Sequence, residues 1–248
     1  WRAGRRLAVL ADRIGPLLDS PEYAFEKDPG NVAAGVQDFG IEYPVALDNT
    51  LSTWTNYRNR YWPAHYLIDA EGTVRHISFG EGNYAATEAM IRELLQDADP
   101  GVELPAATDV KDETPEVGAT TRETFLGSSK DVNYGGGEYR AGEGSFSFPE
   151  DQPDDSFALD GEWTVETQYV TPTGKGGAIR LEYRAAEARM VVAGSGEVVV
   201  RDENGDEQTI EVDGTPRSYG LVDRESIEKG TLTLEVPAGV EVYSFTFG

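Results

Sequence analysis

The stretch NRYWPAHYLID, residues 59–69, restricts the possible folds more than any other part of this chain. It sets Trp62-Pro63 directly against AHYLID, which reads as the opening of a buried strand. Proline has no N–H to give a sheet ladder, so at such a place it marks a strand edge, a turn or a cis bond. Two arrangements follow: a trans proline at an edge with Trp62 in the core, or a cis bond with the Trp62 backbone exposed.

The flanking segments alternate helical and strand patterns. NVAAGVQDFG (31–40) carries Val32, Val36 and Phe39 at helical spacing and stops at Gly40. YPVALD then reads as a short buried strand. STWTNYRNRY (52–61) predicts a helix with Ser52 as N-cap and Trp54, Tyr57 and Tyr61 on one face. AHYLID and VRHISFG are predicted strands joined by a hairpin from Asp69 to Thr73, with Gly72 in the positive-φ position. NYAATEAMIRELLQDA (83–98) is an amphipathic helix, with Ala86, Met90 and Leu94 in one stripe beside Ile91 and Leu95. The order is that of an α/β half-domain over residues 1–98.

Residues 99–121 are rich in Pro, Asp, Glu and Thr and have a linker's composition. From Arg122 to Gly248 helical patterning disappears. GSFSF, EWTVETQYV, AIRLEYR, ARMVVAG, EVVVRD, QTIEVD, TLTLEV and VEVYSFTF are short alternating or β-branched runs between turn residues. They predict an all-β, jelly-roll-like antiparallel sandwich. DENGDE (202–207) is read as a hairpin turn on Asn204-Gly205, because the ligand spacing of a calcium loop is missing.

Charge and composition exclude several functions. A formal net charge of −24 opposes nucleic acid and anionic lipid surfaces as partners. No apolar run approaches the roughly 20 residues of a membrane helix, and no signal peptide is visible. The first residue is Trp1, so the sequence reads as a fragment with any targeting segment upstream. With no cysteine in the chain, disulfides and thiolate chemistry within it are excluded.

YWPAHYLIDAEGTVRHISFGEG resembles the corresponding stretch of TlpA-like and DipZ-type thioredoxin domains. SPEYAFEKDPGNVAAGVQDFGIEYPVALDN is similar to the DipZ type in particular, with its Pro-Glu-Phe/Tyr-x-Phe-Glu segment, helix and YPVALDN. The region from RETFLG to YSFTFG resembles the carbohydrate-binding-module-like sandwich appended to such proteins. The resemblance covers residues 20–98 and 122–248. It implies an incomplete thioredoxin-like domain followed by the sandwich, and a cis bond before Pro63.

In the family such a proline holds substrate beside the Cys-x-x-Cys sulfurs. The resemblance therefore implies Trp62, Pro63 and Ala64 as substrate-binding residues, with no catalytic residue and no metal or other cofactor in this chain. It also implies thiol–disulfide oxidoreductase activity, in redox homeostasis or cytochrome c biogenesis, on protein disulfides or thiols. A membrane electron-donor domain is the implied partner, and the cell envelope is the implied location, with tethering through an upstream segment. The family's cysteine pair sits upstream of the Pro-Glu-Tyr segment, where this chain has only WRAGRRLAVLADRIGPLLDS. That stretch is locally basic through Arg2, Arg5, Arg6 and Arg13, and fits poorly where an apolar strand should lead into Ser20-Pro21. It reads as a truncation or a damaged reading frame. Its Leu7, Leu10, Ile14 and Leu18 predict a short helix lying on the half-domain and ending near Gly15-Pro16 or soon after.

Other residues yield less. His65 and His76, the only histidines, have no cysteine nearby and are expected to lie on a sheet surface or to be packed, not to bind zinc. Ser20 lacks the setting of a hydrolase nucleophile, and NYGGGEYR does not open a helix as a phosphate loop would. Tyr134, Tyr139, Trp163 and Tyr169 are candidates to line a glycan-binding face, although Trp163 in an alternating strand has the pattern of a core residue. The alternative function is a non-catalytic glycan- or protein-binding module carried on a degenerate thioredoxin-like domain.

Overall fold

The computed structural model describes residues 17–19, 24–80, 82–108, 118–130 and 133–248. The chain divides into two compact units, Trp1–Thr114 and Pro115–Gly248.

The first unit is α/β. Strand β1 (Leu17–Asp19) pairs in parallel with β2 (Val45–Leu47). Between them come a 3-10 turn (Ala24–Lys27) and helix α1 (Pro29–Asp38). The helix starts where Asp28 accepts hydrogen bonds from Gly30 N (2.7 Å) and Asn31 N (3.4 Å), and Pro29 occupies its first turn. It ends at Gly40, whose φ of +60° suits glycine. Val32 and Val36 are half-buried, but Phe39 is 79% exposed and leaves the apolar face expected of it.

Helix α2 (Ser52–Asn56) is shorter than the 52–61 expected. Ser52 is its first helical residue and Leu51 its N-cap, so Tyr57 and Tyr61 lie beyond the helix. Strand β3 (Ala64–Ile68) and β4 (Val74–Phe79) form the predicted hairpin. Asp69 shapes its turn by accepting from Glu71 N and Thr73 N, with Gly72 at φ +86°. Helix α3 (Tyr84–Ala98) buries Leu94, half-buries Met90, Ile91 and Leu95, and leaves Ala86 exposed. The segment after it returns to the helix: Arg92 donates to Pro105 O (2.6 Å), and Thr108 N donates to the Glu88 carboxylate (3.0 Å).

The N-terminal reading needs correction. Leu18 lies in β1, so it does not continue a helical stripe, and Leu17–Asp19 is a strand leading towards Ser20-Pro21. Backbone pairing with β2 outweighs the weak local helical pattern over so few residues. The rest of the predicted helix, residues 1–16, lies outside the described residues.

The second unit is a single antiparallel sheet curled around one core. After β5 (Thr124–Phe125), β6 (Gly142–Phe146) and β7 (Ser156–Val165) come two long strands, β8 (Val170–Asp202) and β9 (Glu207–Val236). Strand β10 (Val240–Phe247) closes the unit by pairing with β5 and β8. Several short runs expected as separate strands are therefore segments of β8 and β9. A shift in side-chain phase lets one strand serve both layers. Residues Ile179, Leu181, Tyr183 and Ala185 are buried, then Ala188, Met190 and Val192, and the register slips between Ala185 and Glu187. Gly248 O accepts from Ala186 N and Glu187 N at that slip.

Curling brings β8 back against β9 a second time. Residues Leu232–Glu235 pair with 178–181 along one edge and with 199–202 along the other. The β8–β9 turn is the predicted one: Asp202 accepts from Asn204 N and Asp206 N (both 2.9 Å), and Gly205 has φ +86°.

Candidate functional site

Pro63 lies between the loop after α2 and the first strand of the β3–β4 hairpin. The Trp62–Pro63 peptide bond is cis. Pro63 O accepts from Gly80 N (2.9 Å), continuing the hairpin ladder by one pair. Antiparallel alternation then turns the N–H and C=O of Ala64 away from β4, onto an edge with no strand partner among the described residues. The Trp62 N–H and C=O make no hydrogen bond among the described residues. Its indole is 52% exposed. Trp62, Pro63 and Ala64 thus present an unpaired backbone edge beside an open aromatic surface.

Other rings flank that edge. Trp54 lies against Trp62, with centroids 4.3 Å apart and planes at 37°. Tyr61 meets Phe79 edge-on at 5.5 Å, and Tyr57 meets Tyr66 at 5.0 Å. Tyr66 OH donates to Tyr57 O (3.3 Å), and burial pushes both phenols above the usual tyrosine range, so they remain neutral. Tyr61 and Phe79 are about half exposed. His65 and His76 lie on the opposite face of the hairpin from Tyr66, on a sheet surface as expected.

One residue that sequence reading missed underlies this arrangement. Asp48 is buried, 3% exposed, and accepts from Ser52 Oγ (3.1 Å), Thr53 N (3.0 Å) and Trp54 N (2.8 Å). Burial alone would raise its pKa, but these donors hold the carboxyl below the ordinary aspartate value. Asp48 therefore supplies the cap expected of Ser52. The available signal was an aspartate four residues before Ser52, but Asp48 had been read as the last residue of the strand YPVALD.

The aromatic residues of the second unit do not assemble as a common glycan face. Trp163 is fully buried and its Nε1 donates to Asp160 O (2.9 Å), which removes it from that set. Its strand alternation had already given it a core pattern. Tyr134 and Tyr139 lie 4.3 Å apart and pack against Phe146 and Phe157. Tyr169 packs separately, against Tyr243.

Protein DipZ of Mycobacterium tuberculosis is 50% identical over 235 residues, which is 93% of this chain and 33% of that protein. The chain thus spans about a third of the DipZ length. Thiol-disulfide oxidoreductase YkuV of Bacillus subtilis is 24% identical over 79 residues, 32% of this chain and 53% of YkuV. A solution structure of a thioredoxin-like protein in its oxidised form aligns with 40% of this chain and 70% of its own, at 19% identity and a TM-score of 0.31. Residues 121–248, just over half of the chain and the whole of the curled sheet, match the family described as Thioredoxin like C-terminal domain, and the chain belongs to that family.

Proposed function

We propose that this chain is the substrate-holding part of a thiol–disulfide oxidoreductase, with Trp62, Pro63 and Ala64 as the edge that receives an extended peptide. The reading rests on the unpaired backbone of Trp62 and Ala64 beside an exposed indole. A peptide strand can add to such an edge through main-chain hydrogen bonds, while the indole contacts a side chain. Relatedness to DipZ and the name of YkuV support the redox assignment.

The chemistry is thiol–disulfide exchange. A thiolate attacks one sulfur of the substrate disulfide, that S–S bond breaks as the mixed disulfide forms, and a second thiolate then attacks the first sulfur, so that a new disulfide joins the two attacking sulfurs as both substrate sulfurs leave as thiolates and take up protons. The chain has no cysteine, so both thiolates must come from outside these 248 residues. Within this reading the substrates are protein disulfides or thiols, the setting is the cell envelope, and a membrane electron-donor domain is the redox partner. Cytochrome c biogenesis is the finer role that the resemblance suggests. No helix among the described residues is long and apolar enough to cross a membrane. The two units serve as separate domains, with the redox contact confined to the first.

Insulin B chain with its cysteines carbamidomethylated is a suitable probe, being an extended peptide without reactive thiols. Titration followed by NMR is expected to shift the amides of Trp62 and Ala64 first. Trp62→Ala is expected to weaken binding by about tenfold, the effect of losing one aromatic anchor. Shifts confined to other surfaces, or affinity unchanged by Trp62→Ala, would overturn the assignment.

A further inference from the structure

We infer that Asp48 is a positioning residue for the peptide edge, setting the place of the Trp62 indole through Trp54. The inference rests on the reading of Trp62–Ala64 as that edge. Asp48 Oδ2 holds Trp54 N at 2.8 Å, while Oδ1 holds Thr53 N and Ser52 Oγ, so both carboxylate oxygens are committed to the first turn of α2.

That turn has little else to fix it. The helix is five residues long and enters through Leu51 at φ +55°, in the left-handed region. Helices this short are marginal without tertiary restraint. Leu51 N also donates to Asp48 O (2.7 Å), so the main chain and side chain of one residue define how α2 begins. Trp54 is the third residue of the helix, and its ring lies 4.3 Å from that of Trp62. Asn59 N donates to Trp54 O (3.0 Å), tying the loop that carries Tyr61 and Trp62 to the same residue.

Trp62 is half exposed, and the Trp54 ring packs against it. Where Trp54 sits therefore governs the side on which the Trp62 indole rests, and so the width of the surface offered beside Ala64. A buried carboxylate with three donors is well suited to this task. Charge-assisted hydrogen bonds from main-chain N–H groups are short, directional and stronger than neutral ones.

Two indoles this close give an exciton couplet in the near-UV and 220–230 nm circular dichroism, which reports their mutual geometry without any ligand. Trp62→Phe supplies the baseline. In the full chain, Asp48→Asn is expected to lower the couplet about twofold or more. It should also weaken the carbamidomethylated insulin B chain by about tenfold, the worth of one charge-assisted hydrogen bond. Trp54→Ala, which keeps the main-chain N–H that Asp48 holds, is expected to weaken the peptide to a similar degree. An unchanged couplet and affinity in Asp48→Asn would overturn the inference. If that variant loses its helical circular dichroism, Trp54→Ala decides: wild-type affinity in it overturns the inference, and a tenfold loss supports it. Failure of the wild-type chain to bind the peptide would instead count against the edge assignment, while the couplet continued to test the Asp48–Trp54–Trp62 linkage.

Discussion

Trp163→Ala is expected to lower the unfolding free energy of the second unit by about 3–5 kcal/mol, the range for deleting a buried aromatic ring. Trp163 heads the fully buried side chains, and the sheet is shaped around it. A Cβ at Gly177 would collide with the indole, so that glycine exists as the space the ring fills. The indole N–H also satisfies Asp160 O, which alanine would leave without that donor. For a unit of this size with a total stability of about 5–15 kcal/mol, the loss is a large share. It should appear as a fall of about 10 °C or more in the melting temperature of the β signal in circular dichroism. A fall of less than about 2 °C would show that the core does not depend on the ring as argued.

Limited proteolysis is expected to leave a resistant core beginning near Arg122 while the first unit is digested. The two units differ sharply in what they bury. Among the described residues, Ile68 and Leu94 are the buried hydrophobic side chains of the first unit, each still 9% exposed, whereas most of those in the second unit are at 0–2%. Exposed large hydrophobic residues show the reverse. Phe39, Tyr43, Leu47, Leu51, Tyr61, Trp62, Val74, Ile77, Phe79 and Tyr84 all belong to the first unit, against Ile227 in the second. Local opening is easiest where few apolar contacts oppose it, and cleavage follows the open population. Mass spectrometry of the fragments identifies the core directly. A resistant 1–98 fragment with a digested C-terminal half would reverse the order.

Elements held by strong local chemistry were readable in the sequence. The β3–β4 hairpin follows from alternating residues around a turn with Asp69 and Gly72, and α3 from its apolar stripe. The expectation of a cis bond before Pro63 came from resemblance to known domains, since local sequence left two arrangements open. The length of β8 was hidden because TGKGG, AAEA and GSG look like turns, while in the structure they are the bends and slips of one continuous strand. Strand β1 was hidden for the opposite reason: three residues carry no periodicity, and pairing with β2 alone defines them. Within the proposed site, Trp62, Pro63 and Ala64 came from the family resemblance. Asp48 was not legible in the sequence, because its importance lies in burial and in three donors that only the folded loop brings to it.

The double pairing of β9 also bears on how the second unit can be assembled. Along the β8–β9 ladder, pairs run outward from Arg201 against Glu207 beside the turn to Gly177 against Val236. Zipping in that direction closes each new loop only slightly larger than the last, so chain entropy opposes it in small steps. The pairing of 199–202 with 232–235 is different, because it joins two stretches of the same hairpin that zipping alone leaves apart. That junction turns an open ribbon into a closed curl, a step that local zipping alone does not reach.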